Sequence, residues 1–168
     1  HGKLERNEGR AERQEDWGSD VRAVIQRVSR ASVRVDGRTT GSIDKGLLAL
    51  IGVGTSDGIE DLEWLVDKIV NLRVFEDSND KMNLSLLDVG GSLLAISQFT
   101  IMGDARKGRR PSFTDAADPE KAKGLFNDFL KLASKFVRVE TGVFQAHMEV
   151  ELVNEGPVTI LLDSNKKF

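Results

Sequence analysis

The stretch RAVIQRVSRASVRV (22–35) alternates apolar and polar residues with period two at Ala23, Ile25, Val33 and Val35, and LLALIGVG (47–54) is apolar without interruption. Alternation suits a strand covered on one face, and a short unbroken apolar run suits a strand covered on both. Within 22–35 two strands joined at Ser29–Arg30 are expected, followed by a hairpin turn at VDGR. Further strands are expected at 73–76, along GSLLAISQFTIMG (91–103), at VRVETG, at QAHMEVELV, which carries His147, and at PVTILLD.

Helical spacing occurs twice. GIEDLEWLVDKIVNLRVF places Leu62, Leu65, Val66, Ile69 and Leu72 on one face. In 119–136, Asp118 and Pro119 supply an N-cap and a first-turn proline, and Leu125, Phe126, Phe129, Leu130 and Leu132 form the apolar stripe. Two amphipathic helices among about eight strands, without regular strand–helix alternation, imply an α+β fold with a mostly antiparallel, curved or barrel-like sheet.

The first twenty residues hold ten charged side chains against Leu4, Ala11 and Trp17, too little apolar surface to offset the entropy of ordering. Residues 1–20 are expected to form a flexible N-terminal extension, a leader or upstream sequence, and 21–168 a single domain. The extension carries four basic and six acidic residues, so of the chain's net charge of −3 only −1 belongs to 21–168. Near-neutrality excludes a general polyanion binder, and no DNA partner is expected. The one dense basic patch is ARKGRR (105–110), which charge alone reads as a solvated loop.

No cysteine is present, so disulfides, thiolate nucleophiles and cysteine-bound zinc are excluded. A soluble, cytoplasmic protein without a membrane partner is the expectation. Of the two histidines, His1 lies in the extension and His147 has no second histidine or acidic cluster at ligand spacing, so a metal site or a Ser-His-Asp triad has no support. GVGTSDG lacks the lysine and spacing of a phosphate-binding loop.

Two oddities remain. Ser97, Gln98 and Thr100 interrupt an apolar run, and buried hydroxyls or amides need partners, a cavity or a ligand. NEGPVT (154–159) places Gly-Pro between two strand-like runs, where proline cannot donate to a ladder; a turn closing a hairpin is the simplest account.

Taken in order, RAVIQRVSRASVRV, GGSLLAISQFT, RRPSF and TGVFQAHMEVELVNEGPVT resemble the D-aminoacyl-tRNA deacylase family, also called D-tyrosyl-tRNA deacylase, from Val21 to about Asp163. That family usually begins with Met at the position of Val21. The resemblance implies a homodimer with active sites at the subunit interface, no cofactor and no metal. It implies hydrolysis of the ester between a D-amino acid, or glycine on mischarged tRNA, and the terminal adenosine of tRNA, for translation quality control. Gly156-Pro157 would have a cis peptide and enter the partner's pocket, its carbonyls bonding the amino group of a D-residue and excluding an L side chain.

The resemblance places Ser97, Gln98, Phe99 and Thr100 at the catalytic motif. With no base visible beside Thr100, attack by water or assistance from the tRNA 2′-hydroxyl is preferred, with backbone N–H groups around Gln98–Thr100 facing the oxyanion. Substrate contacts are expected from Asn154, Gly156, Pro157, Val158, Thr159, Phe144, Ala146 and Met148, and phosphate or interface contacts from Arg27, Arg109 and Arg110. The alternatives are the related editor of L-threonine on alanine tRNA, which holds Gly-Pro in trans, a non-catalytic tRNA-binding module, and a general esterase using Ser97 or Thr100.

Overall fold

The computed structural model describes residues 20–166 and 168. The expected extension therefore lies outside the described residues except for Asp20, which is buried and donates its backbone N–H to the Asp57 carboxylate.

The fold is mixed α+β. Among the described residues, chain order is β1 (Arg22–Val35), β2 (Arg38–Ile43), β3 (Gly46–Gly52), α1 (Ile59–Asn71), β4 (Phe75–Glu76), β5 (Met82–Leu84), α2 (Leu86–Val89), β6 (Ser92–Ser97), α3 (Pro119–Ala133), β7 (Arg138–Thr141) and β8 (Glu149–Asp163), with a 3-10 helix at Phe99–Met102. The VDGR hairpin forms as expected: Asp36 and Gly37 both take positive φ, and Val35 pairs with Arg38. Helix α3 begins as the sequence indicates, Asp118 Oδ1 accepting from Lys121 N at 3.0 Å with Pro119 in the first turn.

The main sheet runs β2-β1-β3-β6-β7, and β8 lies on the other edge of β1. Pairings of β1 with β2, β3 and β8 are antiparallel, while β3-β6 and β6-β7 are parallel, so the sheet is more mixed than expected. Each parallel step needs a crossover, and α1 and α3 lie within the two crossovers. The sheet nearly closes on itself: Arg138 Nη2 donates to Ser42 O at 3.5 Å, and a Cβ on Gly41 would lie 2.5 Å from Thr141 O. Only glycine permits that approach.

Both sheet faces are covered, which explains the unbroken apolar runs of β3 and β6. Leu47, Ala49, Ile51, Leu93 and Ala95 pack with Leu62, Leu65, Ile69, Phe126 and Phe129 of the helices. Leu48, Leu94 and Ile96 face the opposite way and pack with Val28, Val33 and Ile43.

Several local expectations are corrected. Residues 22–35 form one strand, because the break at Ser29–Arg30 is an irregularity in pairing with β8 and not a turn. The run 91–103 leaves the sheet after Ser97; the 3-10 helix then buries Met102, so apolar residues persist in sequence although the chain has turned. A short third helix, α2, is set by reciprocal bonds of Ser85 and Asp88. His147 precedes β8 as exposed irregular chain and is not a strand residue.

The hairpin turn expected at NEGPVT is absent. Strand β8 continues through it, with Gln26 opposite Thr159 and Val28 opposite Asn154, so four residues of β8 face Arg27 alone. Glu155, Gly156 and Pro157 are exposed in this bulge, and the Gly156-Pro157 peptide is cis.

Candidate active site

Strand β6 delivers Ser97 to its end, and the following 3-10 helix carries Phe99 and Thr100 out of the sheet. Gln98 N donates to Ile51 O at 2.8 Å, fixing the exit point. The N–H groups of Phe99 and Thr100, at the helix start, have no acceptor within the helix, as at any helix N-terminus. The Gln98 amide donates to Thr100 Oγ1 at 2.9 Å.

Ser97, Phe99 and Phe144 line a pocket of about 370 Å³, together with Val53, Phe113 and the start of α3 at Pro119. That volume falls at the lower end of the range of small-molecule sites. Met148 adjoins it in a shallow cleft shared with Ser97 and Phe144. Gln98 is half-buried and Thr100 exposed; neither they nor Ala146 line the pocket.

One wall depends on a buried carboxylate. Asp57 accepts from the N–H groups of Gly54 and Asp20. Gly54 bridges to Ala116, and Ala117 N donates to Val53 O at 2.9 Å, joining this turn to the pocket lining. Burial pushes the Asp57 carboxyl up to about 6 against the opposing pull of its N–H donors. On the far side of Asp20, Asp163 is pushed up to about 6 by burial and by the neighbouring Asp20 carboxyl, with Arg22 Nε 3.3 Å away.

The bulge is a separate assembly. Asn154 Oδ1 accepts from Val158 N at 2.8 Å, and its Nδ2 donates to Val158 O at 3.2 Å and Thr159 Oγ1 at 3.1 Å. Arg27 is buried; its Nε donates to Glu155 O at 2.8 Å and its Nη1 to Val74 O at 2.9 Å, with Glu76 3.5 Å from Nη2. Gly156 has φ +135°, and a Cβ there would lie 2.9 Å from Val158 Cγ2 and 3.0 Å from Arg27 Nη2. None of residues 154–159 lines this chain's own pocket.

In the basic loop, Asp104 and Ser112 form a bridge that presents 105–110 to solvent. Arg106 pairs twice with Asp104, at 3.0 and 2.7 Å, and holds that carboxyl well below the usual range. Arg109 and Arg110 are exposed and have no ion pair among the described residues.

The sequence brought out Ser97, Phe99, Phe144 and Met148, and the structure brings them together. It did not single out Val53, Ala116 or Ala117, whose apolar or small side chains carry no chemical signal. Among the described residues no group of three acidic, histidine or cysteine side chains could hold a metal. No described helix is long and apolar enough to cross a membrane.

Comparison with known proteins sharpens the picture. The family model described as D-Tyr-tRNA(Tyr) deacylase matches residues 24–163. The chain is 63% identical over 148 residues to a D-aminoacyl-tRNA deacylase of Kosmotoga olearia, covering 88% of this chain and all of the relative, and 60% identical over 149 residues to that of Clostridioides difficile, with the same coverage. Among solved structures, the c-Myc DNA unwinding element binding protein superposes with a TM-score of 0.80 at 42% identity, covering 84% of this chain and 97% of that one. A probable eukaryotic D-amino acid tRNA deacylase superposes with a TM-score of 0.74 at 18% identity, covering 86% and 99%, a likeness of fold alone. From pocket to bulge, the chain belongs to the D-Tyr-tRNA(Tyr) deacylase family.

Proposed function

We propose that this protein hydrolyses the ester linking a D-amino acid, or glycine on mischarged tRNA, to the terminal adenosine of tRNA, and rejects L-aminoacyl esters. The observation that carries the reading is the pocket formed by Ser97, Phe99 and Phe144 at the end of β6, in a chain that matches deacylase relatives over their full length. The pocket lies beside the 3-10 start, where two N–H groups without a helical acceptor can face a developing oxyanion.

Thr100 is not read as the nucleophile. The group within hydrogen-bond reach of its hydroxyl is the Gln98 amide, a donor, which cannot remove a proton. Water attacks the ester carbon, alone or with assistance from the neighbouring 2′-hydroxyl of the tRNA; the C–O bond to the ribose breaks, and the released alkoxide takes the proton that the water gives up. An activated ester needs little more than positioning and oxyanion stabilisation.

Stereochemical choice falls to the Gly156-Pro157 bulge. Its exposure, and its absence from its own chain's pocket lining, support a homodimer in which each bulge enters the partner's pocket. A carbonyl held against the α-carbon bonds the amino group of a D-residue and leaves no space for an L side chain, while glycine passes. Asn154, Val158 and Thr159 then serve by shaping the bulge. Arg27, spent on Glu155 and Val74, is read as its brace and not as a phosphate holder, a role left to Arg109 and Arg110 in a cytoplasmic protein that meets charged tRNA.

The test is hydrolysis of matched D-tyrosyl- and L-tyrosyl-tRNA with chelator present. Rapid loss of the D-ester alone supports the reading. Loss of both points to a general esterase, and turnover of neither favours a binding module, a reading that the nucleic-acid-binding name of one structural relative keeps in view.

A further inference from the structure

The two aromatic rings at the pocket rim, unlike the Phe99 backbone N–H, have no role in the ester chemistry. Phe99 and Phe113 stand edge to face, with centroids 5.1 Å apart and planes at 67°, yet 59% and 37% of their surfaces remain exposed. Both line the pocket, so the pair marks its open side.

Phe113 follows the basic loop by three residues, and the bridge between Asp104 and Ser112 closes the loop immediately before Phe113. Arg106 is neutralised by Asp104, whereas Arg109 and Arg110 stay without acidic partners among the described residues. An exposed ring adjoining uncompensated arginines is the combination that holds single-stranded nucleic acid: the ring stacks a base and the cations take the phosphate. A pocket of about 370 Å³ accommodates one aminoacylated nucleoside, so the preceding nucleotide must lie outside it, along the rim.

We infer that Phe113, braced by Phe99, forms a second nucleobase subsite. It stacks the base preceding the terminal adenosine, while Arg109 and Arg110 hold the phosphate joining the two nucleotides. This rests on the aminoacyl-tRNA reading above and extends it by one nucleotide. Stacking is tolerant of base identity, so the subsite would secure any tRNA end without reading the tRNA body.

The experiment compares two probes, the D-tyrosyl ester of adenosine and that of a dinucleotide ending in adenosine. Wild-type protein is expected to favour the dinucleotide by about tenfold in kcat/KM, through KM. Phe113→Leu should cut that ratio at least about fivefold, and Phe113→Trp should keep it; losses common to both probes cancel. Arg109→Gln with Arg110→Gln should lower the ratio most at low salt, which keeps the test open if Phe113→Leu does not fold. The subsite is overturned if wild type shows no preference, if Phe113→Leu leaves the ratio unchanged, or if that variant alters only self-association, as sedimentation would show. Cleavage of the adenosine ester without dinucleotide preference sinks the subsite alone; cleavage of neither probe nor of D-tyrosyl-tRNA sinks the functional reading with it.

Discussion

Arg27 donates through Nε to the carbonyl of Glu155 at 2.8 Å, so a buried guanidinium on the first strand fixes an exposed bulge on the last. Replacing it with Met leaves the Glu155 and Val74 carbonyls without that donor. We expect a loss of about 2–4 kcal/mol by urea denaturation and a fall in D-ester turnover. The salt dependence of tRNA binding should stay as in wild type; a flattened slope would mean that Arg27 meets phosphate after all.

Gly156→Ala places a Cβ against Val158 and Arg27 at a φ of +135°, where an L side chain is strained. The expected cost is about 1–3 kcal/mol. Discrimination between D- and L-tyrosyl-tRNA should narrow as the bulge shifts. Unaltered selectivity in a folded variant would remove the bulge from the specificity argument.

Asn154→Asp keeps the acceptor for Val158 N but turns a carboxylate toward Val158 O, where an amide now donates. A loss of about 1–3 kcal/mol is expected, with reduced D-ester hydrolysis. Asn154→Ala should be equally harmful if hydrogen bonding, and not charge, shapes the bulge.

The folded protein binds protons at Asp57 and Asp163 more tightly than the unfolded chain, both being raised from 3.8 to about 6. Their contribution to stability is fully present below 3.8 and is lost as pH rises through about 6. Asp77, Asp88 and Asp104, held low by hydrogen bonds, act oppositely and lose their contribution as pH falls below their ordinary range. Tm should therefore rise between pH 7 and 5 and fall in stronger acid. Asp57→Asn should shrink the rise; a Tm that drops steadily from pH 7 to 5 would contradict the assignment.

Arg109→Gln and Arg110→Gln together should weaken tRNA binding and reduce the slope of log affinity against log salt by about 0.7 for each phosphate that the loop no longer neutralises. An unchanged slope would leave the loop as a solvated turn.

What the sequence disclosed was local. VDGR and Asp118-Pro119 were legible because their turn and cap chemistry acts within four residues. The hidden features depend on distant partners. Ile101 and Met102 prolong an apolar run, and only the burial of Met102 beneath a 3-10 helix separates turn from strand. Gly156-Pro157 has the composition of a turn, and only Arg27 and Asn154 reveal a strand that bulges and resumes. Within the site, the resemblance supplied SQFT and Phe144, whereas the wall built on Asp57 had no motif to announce it.

Strand β1 pairs with β8 from Arg22 opposite Asp163 to Arg34 opposite Glu149, so the two ends of the domain complete one ladder. Pairings of such sequence separation incur a large loop-closure entropy before they contribute stability, which places this protein among slower-folding topologies. During synthesis, the strand bearing Gly156-Pro157 leaves the ribosome after the other described strands and finds β1 already waiting. The bulge thus takes shape only once β8 has been made, and a nascent product truncated before β8 would hold the Ser97–Thr100 segment without the element proposed to guard it.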